Sequence, residues 1–231
     1  MHTTRSSSRR NRKIAAVAAG ALAVGLGAAY TLASWTDSEW VWGGAAGDEP
    51  GIGTGTFEVE QFTEGSWRDD ETNPGGALDF TTAALALAPG DTVYAPVSLR
   101  TKTGSLGGEV TLSGAVAAQG ITVSDAGQAL WNAVELTVHT SAETSAPACA
   151  AGTFDAADWT AVDGIDSASL GTGASAAQAL AAATDAAPGA PQHYCFVISL
   201  PADAQSVAEA AGVDLMGRTI APAWEFAAVS G

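Results

Sequence analysis

From Thr54 to Val229 the chain keeps returning to one pattern: short runs of alternating apolar and polar residues, separated by glycine, proline and aspartate. A strand sends successive side chains to opposite faces, so such runs suit sheets with one face in a core. Thr92–Arg100 (TVYAPVSLR) places Val93, Ala95, Val97 and Leu99 on one face. Pro96 within it has no N–H to donate, which assigns the run to an edge or a bulge. Glu109–Ala118 sets Val110 and Leu112 against Thr111 and Ser113. Leu130–Thr140 sets Val134, Leu136 and Val138 against Glu135, Thr137 and His139. Thr54–Gln61, around Phe57 and Val59, and Ala77–Leu87 read as further strands. Tyr194–Leu200 is apolar on both faces and reads as a central strand. Arg218–Val229 closes the series around Trp224 and Phe226, Pro89-Gly90-Asp91 is a turn, and Arg68–Gly76 is a polar loop. Ala174–Ala183 has the composition of a helix, and Ser206–Ala211 that of one helical turn.

The first 40 residues follow a different rule. Arg5, Arg9, Arg10, Arg12 and Lys13 precede an uncharged apolar run, Ile14–Leu32, which stops at Ala33-Ser34-Trp35-Thr36-Asp37-Ser38-Glu39. A basic start, an apolar middle and small residues at the exit make an export signal. At about 1.5 Å per residue the run nearly spans a bilayer core. Two readings follow: cleavage near Ala33 or Ser34, or retention as a membrane anchor with its basic end in the cytoplasm. A span of Ala, Gly and Val with few Leu anchors weakly, which favours cleavage. Ser8-Arg9-Arg10 is followed by Asn11, Arg12 and Lys13, so an ordinary basic start fits better than a twin-arginine signal. The expected organisation is a signal peptide over residues 1–33, a Trp-containing arm over 34–53 and a β-sandwich domain over 54–231. The expected fold is mainly β: a jelly-roll-like or Ig-like β-sandwich with an N-terminal signal helix and one or two short helices.

Without the signal, Arg68, Arg100, Lys102 and Arg218 stand against all 25 acids, a net charge of about −21. Such a surface repels nucleic acid and anionic lipid. A hydrophobic fraction of 47% separates the chain from disordered acidic sequences. The two cysteines, Cys149 and Cys195, are expected to pair after export, the alternative being two buried thiols. Closing a loop of that length stabilises a domain by about 4 kcal/mol in the chain-entropy model.

Chemistry is sparse. Asp155, Asp158, Asp163 and Asp166 form the densest acidic cluster, around Trp159. Oxygen donors suit Ca²⁺, but the spacing matches no EF-hand loop, and a solvated acidic loop is the better reading. Twenty-five acids permit many carboxylate pairs for glycoside cleavage and single out none. There is no GxSxG, Walker or dinucleotide-binding glycine pattern, so no catalytic residue and no cofactor is expected. His139 falls on the polar face of its run and is expected to meet solvent.

The segment Tyr30-Thr31-Leu32-Ala33-Ser34-Trp35-Thr36-Asp37-Ser38-Glu39 resembles the signals cut by the SipW-type signal peptidase. Gly55-Thr56-Phe57-Glu58-Val59, Leu87-Ala88-Pro89-Gly90-Asp91 and Gly104–Leu112 are similar to the successive strands and turn of TasA-like fibre proteins and camelysin-like surface proteins. With Tyr194-Cys195-Phe196, Leu200-Pro201-Ala202-Asp203 and Trp224-Glu225-Phe226, the chain resembles an actinobacterial group of exported proteins carrying this alternate signal. The resemblance implies export by a SipW-type peptidase and the export machinery. It also implies a secreted or surface location and self-association or cell-wall contact. In TasA-like fibres the mature N-terminal segment adds as a strand to the next subunit, a role that would fall here to the arm bearing Trp35, Trp40 and Trp42. Camelysin relatives are labelled metallopeptidases, but His139 and His193 are the only histidines beyond the signal and no HExxH occurs. The expectation is therefore a non-enzymatic structural protein, with a monomeric binding module for a wall component as the alternative and a surface hydrolase as the least favoured.

Overall fold

Alternation makes two of the three long strands of the computed structural model, β3 (Thr92–Thr101) and β6 (Glu135–Ser141), and a run apolar on both faces makes the third, β10 (Gln192–Ser199). In β3, Val93, Ala95, Val97 and Leu99 are all buried, as their parity requires. The structure describes Glu39, residues 53–155 and residues 157–231. It divides into two units, Met1–Gly53 and Thr54–Gly231, and the second is described below. The expected signal helix and the tryptophan arm, apart from Glu39 and Gly53, lie outside the described residues.

The larger sheet runs β2-β1-β3-β10-β6-β7, with β1 at Val59–Thr63, β2 at Ser66–Arg68 and β7 at Thr160–Ala161; β8 (Ala168–Ser169) also pairs β6. All its pairings are antiparallel. β10 is central, as its two apolar faces indicate, pairing β3 from Gln192↔Leu99 to Ser199↔Thr92 and β6 from His193↔Ser141 to Ser199↔Glu135.

The smaller sheet is β12-β4-β9, at Phe226–Ser230, Gly108–Leu112 and Gln178–Leu180. A two-stranded ribbon continues it, β11 (Pro222–Ala223) on β5 (Val116–Ala117). Leu112 pairs Phe226 but Val116 pairs Ala223, so the β4–β5 segment holds one extra residue, a bulge around Gly114. A Cβ at Gly114 would collide with the Gly171 carbonyl. Val110, Leu112 and Leu180 from this sheet share one core with Val97, Leu136, Val138 and Phe196 from the larger one. Two short helices complete the domain, α1 (Ala129–Ala133) and α2 (Ala204–Ala210).

Four sequence expectations change. The alanine-rich segment 174–183 is not helical: it contains β9, whose pairing with β4 buries Leu180. Alanine's helix preference amounts to tenths of a kcal/mol per residue, and one buried leucine side chain outweighs several of them. Ala77–Leu87 is not a strand but ends in a 3-10 turn, Thr82–Ala86, which leaves Leu85 93% exposed. The run 130–140 begins as α1, and only its second half is strand. Pro96 does not put β3 at an edge, because β1 and β10 flank it. The proline is tolerated because β1 stops at Phe62↔Ser98, two residues short of it. Pro96 has the parity of Tyr94, whose carbonyl accepts from Thr81 N–H on the side away from β10, so its missing donor falls where no strand waits.

Candidate assembly surface

Sheet edges carry unpaired N–H and C=O groups, and proteins blunt them with charge, proline or brevity. Three edges here are blunted. β2 holds Arg68, paired with Glu64. β7 and β8 are two residues each, and β9 is three. The fourth is different: β12, Phe226-Ala227-Ala228-Val229-Ser230, has five residues and no charge, and among the described residues its only strand partner is β4.

The hydrogen bonds of β12 fix which groups face outward. Ser113 N–H donates to the Glu225 carbonyl at 2.8 Å, and Gly231 N–H to the Gly107 carbonyl at 3.2 Å. Residues of that parity, Ala227 and Val229, therefore direct their backbone to β4, while Phe226, Ala228 and Ser230 direct theirs to the open edge. The Phe226 ring packs on Tyr194 at 4.9 Å in the core. Ala227 and Val229 lie on the opposite face, and Val229 is 62% exposed. A Cβ at Gly108 would collide with the Val229 carbonyl and the Phe57 ring, so this glycine lets β12 lie flat on β4. The preceding part of the same edge is protected. Ala118 N–H donates to the Ala221 carbonyl at 2.8 Å, which turns the backbone of Pro222 outward, where it has no N–H to offer. Glu225 adds a charge just before β12.

The outer face of the larger sheet is covered by the segment 142–159, held there by the disulfide Cys149–Cys195 (Cα–Cα 5.5 Å). The pairing expected from the sequence is thus present. Within this strap the Phe154 ring stacks on His139 at 4.1 Å and on Tyr94 at 6.0 Å, and Trp159 Nε1 donates to the Ala148 carbonyl at 3.1 Å. His193 lies beneath it, between Ser98 Oγ (2.6 Å from Nδ1) and the Glu143 carbonyl (3.1 Å from Nε2). A carbonyl only accepts, so Nε2 carries the hydrogen and Nδ1 accepts from the Ser98 hydroxyl. Ser98 and His193 are 8% and 5% exposed, so this serine–histidine pair ties strands and strap together rather than facing a substrate. Burial holds both histidines below the ordinary value; Asp166 opposes the shift at His139, and the Glu143 carbonyl opposes it at His193. His139 is half-buried under Phe154 and not the solvent-facing residue its parity suggested.

All four bases of the domain are engaged. Arg68 pairs with Glu64, Arg100 with Glu60 at 2.6 Å, Lys102 with Asp69 and with Glu58 at 3.0 Å, and Arg218 with Asp125 at 3.0 Å. Hydrogen bonds to Asp69 and Glu58 push the Lys102 ammonium well above the usual lysine range. Arg100 also lies over the Trp67 ring, 3.8 Å from its centroid.

Asp155, Asp158, Asp163 and Asp166, the calcium candidates, are each exposed on the turns around Trp159. Among the described residues no three His, Cys, Asp or Glu side chains gather as a metal site. The cleavage residues Ala33 and Ser34 and the arm residues Trp35, Trp40 and Trp42 lie outside the described residues. The sequence placed the last strand near Phe226 but did not mark it as an edge, because alternation reports a buried face and not a neighbour. No protein-family model, no curated protein and no solved structure matches the chain.

Proposed function

We propose that this chain is an exported, non-enzymatic structural protein of the cell surface or extracellular matrix. Its mature part, from about Ser34, is a sandwich of the jelly-roll-like or Ig-like kind that self-associates by strand addition. A SipW-type peptidase releases it by cutting near Ala33 or Ser34. The single observation that carries this reading is β12: five uncharged residues at a sheet edge whose other described edges are short or charged. Backbone hydrogen bonds at such an edge supply affinity, and alternate side chains supply selectivity. The engaged disulfide suits an oxidising compartment, in keeping with export.

The test is the size of the purified mature chain against concentration, by sedimentation and light scattering. Assembly that grows with concentration and falls in Val229→Lys supports the reading, since an edge lysine blocks strand addition. A chain that remains a monomer throughout overturns it and leaves the binding-module alternative. Export is checked separately, by the mass of the protein in the medium: a chain cut near Ala33 or Ser34 is expected, and uncut protein in the membrane fraction contradicts it.

A further inference from the structure

We infer that the strand received at β12 is β12 of a second copy, running antiparallel about a twofold axis at Ala228. The inference rests on the proposed self-association and adds its partner and register. Only Phe226, Ala228 and Ser230 direct N–H and C=O groups outward. A twofold at Ala228 pairs Ala228 with itself and Phe226 with Ser230 of the other copy. That closes about six backbone hydrogen bonds and leaves no outward group of β12 unpaired. On the solvent face the same register sets Val229, 62% exposed, beside Ala227 of the other copy, so the exposed valine gains an apolar neighbour. Pairing ends where Pro222 and Glu225 begin to protect the edge.

Charge favours this occupant over the chain's own tryptophan arm. An acidic molecule whose four bases are all engaged brings no free cation of the domain to a contact, so like charges must stay apart. At about 3.4 Å per residue and 4.8 Å between strands, the twofold separates the two Glu225 residues by about 21 Å and the two Glu109 residues by about 16 Å. Both exceed a Debye length of about 8 Å at physiological salt. The arm, in contrast, carries Asp37 and Glu39 beside Trp40 and no base. Five residues a side bury far less than the roughly 1,200 Å² of a standard interface, so the contact is weak in dilute solution and is reinforced where copies are crowded.

The test uses Val229→Cys in the full mature chain, where both native cysteines are already paired. The inferred register places the two Val229 Cα atoms about 8 Å apart, within reach of a short bis-maleimide. The expected result is a covalent dimer that survives deletion of Ser34–Gly44. It should be lost when Ser230→Pro removes an outward donor or Ala227→Lys places charge opposite residue 229, each variant first shown by circular dichroism to be folded. Assembly without the 229–229 cross-link overturns the inference while leaving self-association standing. A cross-link between Val229→Cys and Trp40→Cys instead identifies the arm as the occupant. No assembly and no cross-link overturns both.

Discussion

At the scale of single residues, Asp125 and His193 show buried polar groups kept by complete partnering. Burial opposes the charge of Asp125, but the N–H groups of Leu130 and Trp131, each at 2.9 Å, and the Arg218 guanidinium at 3.0 Å outweigh it and hold its carboxyl below the usual range. Its side chain fixes the start of α1 and, through Arg218, the turn before β11. Asp125→Ala should cost about 2–3 kcal/mol in urea unfolding, because it removes the ion pair with Arg218 and leaves two backbone donors without their carboxylate. The histidines give a pH signature. Their folded-state affinity for protons is below that of the unfolded chain, so the unfolded state takes up protons first as pH falls. Stability should therefore be full above the ordinary histidine value of about 6.5 and decline as pH drops through the lower folded-state values. Thermal melts between pH 7.5 and 5 check this, and His193→Asn should flatten the slope. Neither behaviour was legible in the sequence, where His139 reads only as a polar-face residue and His193 precedes the run Tyr194–Leu200.

At the scale of elements, local pattern and pairing contribute differently. The alternation in β3 and β6 was legible because one face of each is buried by the same residues that alternate, and β10 was legible because both its faces are apolar and buried. β9 was not, since three residues of strand within an alanine-rich stretch carry too little pattern to oppose helix propensity. Pro96 misled because the rule concerns the side to which an N–H points, and that depends on where β1 ends. The strap over 142–159 is an element of another kind, irregular and held by Cys149–Cys195, the Phe154 stack and the His193 bond to Glu143. Reduction, or paired Cys149→Ser and Cys195→Ser, should lower stability by about 4 kcal/mol. Limited proteolysis should then cut first within 142–159, detectable by peptide mass mapping. Cleavage elsewhere first would show that the strap does not depend on the disulfide.

At the scale of the whole molecule, charge and edge act against each other. A formal net charge of −16 over the full chain keeps copies apart, whereas the neutral β12 lets them meet at one place. Raising ionic strength from 50 to 500 mM should therefore strengthen self-association, read as a larger sedimentation coefficient at fixed concentration. Weakening with salt would point instead to an ion-paired contact. Deleting Ser34–Gly44 separates an arm-driven assembly, which would disappear, from one built on β12, which would persist.

The sequence by itself determined the mainly β class, the buried faces of the long strands, the central place of β10 and the cysteine pair available for a disulfide. Each follows from composition or from a period of two, which a chain carries before it folds. Only the tertiary structure decided which strand would be left at an edge, which backbone groups would point outward, and that both histidines would lie beneath one strap. Those depend on where neighbouring strands stop and on the single-residue bulge near Gly114, relations between distant segments that no local pattern encodes.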